Sequence, residues 1–128
     1  MNKKQYIAYQ GNYYTIEWYF DKSDNSQALE YFRTLDKARK IKVFHLFRIM
    51  ANTGKIHNIQ KFRYESDEIY AFKPQPDRFL CFFFEGKKII VTNAFEKRED
   101  KLPLPEKKKA LNSKVDYQER CKNGGYYE

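Results

Sequence analysis

The stretch Ile69–Arg98, IYAFKPQPDRFLCFFFEGKKIIVTNAFEKR, decides how the rest of the chain is read. Phe79 to Phe84 is apolar at consecutive positions, the pattern of a strand buried on both faces. The turn Glu85-Gly86-Lys87 leads into a second apolar run, and the spacing predicts a strand over Lys88–Phe95. A strand over Glu68–Lys73 comes before, stopped by Pro74 and Pro76 because proline has no N–H to give a ladder. Three consecutive strands in this order predict an antiparallel meander. Strand direction then has a chemical consequence. Lys73 and Arg78 flank the turn at 74–77, and the strand after next returns to that end carrying Lys97 and Arg98. All four cations are expected on one rim of the sheet.

On the N-terminal side, Tyr6–Tyr9 and the β-branched and aromatic run Tyr13–Phe20 read as strands, with Gly11-Asn12 as a turn. They either pair as a hairpin or merge into one bent strand. Ser26 can cap a helix that buries Ala28, Leu29, Phe32 and Leu35. Asp36 caps a second helix, expected to reach about Asn52 with Ala38, Ile41, Leu46, Phe47, Ile49 and Met50 in the core. Gly54 suits the left-handed residue that ends it. The stretch 57–64 reads as a loop entering the sheet. Beyond the meander, Pro103 and Pro105 suit a helix's first turn, and a helix is expected from Pro105 to Arg120. Leu104, Leu111 and Val115 form its expected apolar stripe, with Ala110 and Tyr117 beside it. Cys121–Glu128 is expected to fray. The fold class expected is α+β: a small antiparallel sheet with an N-terminal helical hairpin and a C-terminal helix. Residues 1–128 form one domain, with 121–128 a flexible tail.

Composition narrows the function classes. The chain has 128 residues, 41% of them apolar, enough for one core. Eleven Tyr and eleven Phe supply large buried areas per residue. The formal net charge of +8, concentrated in the first and last thirds, favours a polyanionic partner. Two cysteines, Cys81 and Cys121, make no disulfide framework and suit a reducing cytosol. No secretory apolar region and no run near the roughly 18 residues of a membrane span are seen. His45 and His57 lack ligand spacing and the cysteines lack CxxC, so no metal site is expected. No glycine-rich phosphate loop and no Gly-x-Ser-x-Gly elbow are present, so no cofactor is expected. The basic rim has two open readings. One is a solvated sheet end. The other is an anion site for RNA cleavage by its own 2′-hydroxyl, where guanidinium and ammonium groups stabilise the phosphorane and a group of lowered pKa moves a proton.

The order of elements resembles the RelE/ParE superfamily of toxin–antitoxin toxins, especially its phage-derived, HigB-like branch. The resemblance covers about Tyr14 to Arg120. It rests on SQALEYFRTLDKARKIKVFHLFRIMANTG, then IYAFKPQPDRFLCFFFEGKKIIVTNAFEKRED, then LPEKKKALNSKVDYQER. It implies a RelE-like fold and a ribosome-dependent mRNA endonuclease (mRNA interferase) that inhibits translation. It further implies a cognate antitoxin, of helix-turn-helix type, that forms a hetero-oligomer with the toxin. The ribosome and mRNA are the other implied partners, with a cytoplasmic location. By motif position it implies catalytic roles for Arg78, Lys73, Lys97, Arg98 and Tyr117. Lys73 stands where the family often has arginine, and Glu96, Glu99 and Asp100 interleave the basic pair. Two alternatives stay open: a ParE-like toxin that binds DNA gyrase without catalysis, and a catalytically silent phage-derived binding protein.

Overall fold

The computed structural model describes residues 5–127. The chain opens with β1 (Ile7–Gln10) and β2 (Thr15–Trp18), which pair antiparallel as a hairpin. Two helices follow, α1 (Gln27–Thr34) and α2 (Lys37–Thr53). Then come β3 (Phe62–Tyr64), β4 (Tyr70–Phe72), β5 (Asp77–Phe84), β6 (Lys88–Glu96) and α3 (Leu104–Lys122). The six strands form one sheet in the order β1-β2-β6-β5-β4-β3. From β3 to β6 every neighbour is antiparallel, but β2 pairs parallel to β6. This corrects two expectations. The sheet is mixed rather than antiparallel, and the helical hairpin is preceded by a strand hairpin rather than N-terminal.

The caps explain where the helices begin. The Ser26 hydroxyl accepts from the Leu29 N–H at 3.3 Å, and the Asp36 carboxylate from the Arg39 N–H at 2.9 Å. Gly54 ends α2 at φ 82°, its N–H on the Met50 carbonyl. Strand alternation then divides the interior. Phe79 and Cys81 of β5 face α1 and α2, around Trp18, Phe47 and Phe72. Leu80 and Phe82 face α3, around Ile90 and Tyr117. The sheet is thus the middle of three layers, and the apolar run of β5 is buried on both faces through Phe82.

Three sequence expectations meet a different packing in part. The buried residues of α2 include Val43, Leu46, Phe47 and Met50, so Ala38 lies outside the core and Ile41 is 59% exposed. Against the sheet α3 presents Ala110 and Tyr117, while Leu104 and Val115 face solvent. In the stretch expected to fray, residues 122–125 are exposed, but Tyr126 and Tyr127 are tied to the body of the fold. The Tyr126 ring is buried against Tyr19 and Tyr117, and its hydroxyl accepts from the Phe20 N–H at 2.9 Å. The Tyr127 hydroxyl donates to Glu17 at 2.7 Å. Among the described residues no helix is long and apolar enough to cross a membrane.

Candidate functional site at the end of the sheet

The turn after β4 and the end of β6 meet. Asp77 pairs with Glu96 and Arg78 with Phe95, and the Lys97 N–H donates to the Pro76 carbonyl at 2.8 Å. Alternation sends neighbouring side chains to opposite faces. Asp77 points toward the helical hairpin, fully buried, and receives the Arg39 Nε at 3.0 Å, the Arg39 Nη2 and the Tyr31 hydroxyl. Glu96 also pairs with Arg39, at 3.3 Å. That acid therefore belongs to the opposite face and does not neutralise the rim.

Arg78 points to the α3 face, where Lys73 joins it. Both are nearly buried, at 8% and 9% exposure. Arg78 Nη1 donates to the Asp77 carbonyl at 2.9 Å and to the Gln75 side chain at 3.3 Å. Lys73 Nζ donates to the Ile59 carbonyl at 3.1 Å. Neither has a carboxylate at ion-pair distance among the described residues. Burial therefore pushes the Lys73 ammonium below its usual range, and Arg78, Arg63 and Lys97 push the same way. Burial likewise lowers the Arg78 guanidinium, partly offset by Glu65, Asp100 and Asp77. Two cations held this way are poised for an anion, which would supply the missing countercharge.

The segment 99–103 roofs the pair. Lys97 binds Asp100 at 2.7 Å, and Leu102 is packed into the α3-side core. Glu65 closes the other side, following β3 on a turn whose Ser66, Asp67 and Glu68 all have positive φ. Lys107 of α3 holds this turn through Ser66 and, at 2.8 Å, Asp67. The enclosed space is about 20 Å³, room for about one water. That space is too small for a phosphate group.

The structure thus brings together Lys73 and Arg78, with Lys97 close enough to act on the Lys73 charge. Arg98 is exposed, and neither Lys97 nor Arg98 lines the enclosed space. Tyr117 is elsewhere. It is buried against Phe82 and Phe84, at the far end of β5, and six residues of strand span about 20 Å. Its hydroxyl meets the Tyr127 hydroxyl at 2.5 Å, and burial raises its pKa. Sequence reasoning missed Glu65 and Arg63, since β3 was not recognised as a strand. It also missed the Arg39–Asp77 pair behind the site, although Asp77 directly precedes Arg78.

No curated protein matches the chain. A family model described as "Phage derived protein Gp49-like (DUF891)" matches residues 30–114, about two thirds of the chain. The match takes in Lys73, Arg78, Lys97 and Arg98 and leaves out Tyr117. That family is associated with the toxins of toxin–antitoxin systems. The chain belongs to the Gp49-like family of phage-derived proteins.

Proposed function

We propose that the protein is the toxin of a type II toxin–antitoxin pair and acts as a ribosome-dependent mRNA endonuclease in the cytoplasm. One observation carries this reading: Lys73 and Arg78 lie buried side by side at one sheet end, with no carboxylate at ion-pair distance among the described residues. A scissile phosphodiester seated between them gains two charge-assisted contacts in a site of low solvation. Charge on the phosphorane grows along the reaction, so the contacts strengthen toward the transition state. The lowered pKa of Lys73 eases proton movement at the 2′ or 5′ oxygen. Affinity for mRNA and the ribosome comes largely from phosphate contacts, in keeping with the +8 charge. A cognate antitoxin restrains the protein in a hetero-oligomer.

The acidic roof supports a second reading, a catalytically silent binding protein, because Asp100 and Glu99 stand where phosphate would approach. Induction in bacteria with mapping of RNA 5′ ends separates the readings. The nuclease reading expects growth arrest with new 5′ ends inside translated codons. Arrest with intact mRNA and trapped gyrase–DNA complexes points instead to a ParE-like toxin. Absence of arrest points to the silent protein.

A further inference from the structure

The outer side of α2 is unlike the rest of the surface. Its sequence, KARKIKVFHLFRIMANT, contains no carboxylate. Two clefts of about 640 and 530 Å³ run along it and share Ile41 and His45. Their floor is apolar, built from Ile41, Phe44, Ile49 and Ile56. Their rims carry Lys37, Lys40 and Arg48 on one cleft, and Lys42, Lys55 and Lys61 on the other. No acidic residue lines either, and none of these six cations has an ion-pair partner among the described residues.

We infer that this face docks an acidic amphipathic helix of a partner protein. The shape sets the length: the 17 residues of α2 extend about 25 Å, so four to five turns of a partner helix lie along it. The apolar floor calls for apolar side chains three and four apart, and the rims call for carboxylates on either side of that stripe. RNA would satisfy the lysines, but the floor of the larger cleft, Ile41, Ile49 and Ile56, gives its bases no aromatic ring to stack on. A second copy of this chain would set one basic face against a protein of net charge +8, which like-charge repulsion opposes. Fixed acidic charge on the partner gives fast, salt-sensitive association, and the floor gives residence. The cleft ends at Pro74 and Gln75, whose carbonyl receives Lys42 and whose side chain receives Arg78. The docking face therefore adjoins the cationic site without including its cations, and it stands whether or not that site cuts RNA.

A random 16-residue peptide library displayed on phage, selected on the full chain, tests this. Enriched peptides are expected to be net acidic, with apolar residues at helical spacing. Synthetic copies should bind Ile41→Asp at least tenfold more weakly than wild type. Val115→Asp, which adds the same charge at an exposed position of α3 outside the clefts, should bind as wild type does. Lys42→Glu with Lys61→Glu provides a second reading of the rim and should also lose at least tenfold, with helical circular dichroism unchanged in each variant. Three outcomes overturn the inference: no enrichment, enrichment of neutral or basic sequences, or equal binding to wild type and the cleft variants.

Discussion

Arg78 and Lys73 hold positive charge where burial disfavours it, and among the described residues neither has a carboxylate at ion-pair distance. Arg78→Ala should therefore lower mRNA cleavage by about 10²–10³-fold while leaving the denaturant midpoint equal to or above wild type. A large loss of stability would make Arg78 a structural residue. Lys73 gives a pH test. Its ammonium loses its proton below the ordinary lysine value of 10.5, because burial and nearby cations disfavour the charge. Affinity for a deoxy-substituted oligonucleotide should fall as pH rises through that lowered range. In Lys73→Arg the fall should move to higher pH, since guanidinium stays protonated. Identical alkaline limbs would remove Lys73 from the site. Asp77, behind the pair, is fully buried and anchors Arg39 and Tyr31. Asp77→Asn should cost about 1–3 kcal/mol of stability, measured by urea unfolding. These cations were legible because strand direction alone places 73, 78 and 97 at one end. Asp77 was not, because only burial distinguishes it from an ordinary turn residue.

At the scale of elements, the β1–β2 turn is clamped to the end of α2. The Tyr13 and Tyr14 N–H groups both donate to the Ala51 carbonyl, at 2.8 and 3.1 Å. A Cβ on Gly11 would lie 2.4 Å from the Ala51 backbone, which has no flexible end to yield. Gly11→Ala should destabilise by about 1–3 kcal/mol, seen as a lower urea midpoint. An unchanged midpoint would mean that the turn is free to shift. The C-terminal segment is a second clamp. Tyr126→Ala should cost about 3–5 kcal/mol, as for other buried aromatic truncations, whereas a frayed tail would tolerate it. Its role was hidden because Gly124-Gly125 reads locally as flexible, and nothing local shows that Tyr126 finds a slot between Tyr19 and Tyr117. The helix caps at Ser26, Asp36 and Gly54 were legible for the opposite reason, since capping chemistry acts within three or four residues.

Over the whole molecule, the sheet serves as a divider. The helical hairpin secures one face through Asp77 and Trp18, and α3 with the tail covers the other. The two cations emerge on the α3 face at the end where β4, β5 and β6 meet. Long-range pairing limited what could be read from the chain. The parallel contact of β2 with β6 joins residues such as Ile16 and Ile89, and no local pattern reports it. The same distance hid the separation of Tyr117 from the cations, since its helix is anchored at the far end of β5. The most direct measurement uses purified protein, ribosomes translating one defined mRNA, and primer extension from its 3′ side. Wild type and Tyr117→Phe should both leave cuts inside the reading frame, and Arg78→Ala should leave none. Equal cutting by Arg78→Ala, or intact message with folded wild-type protein, would contradict the account.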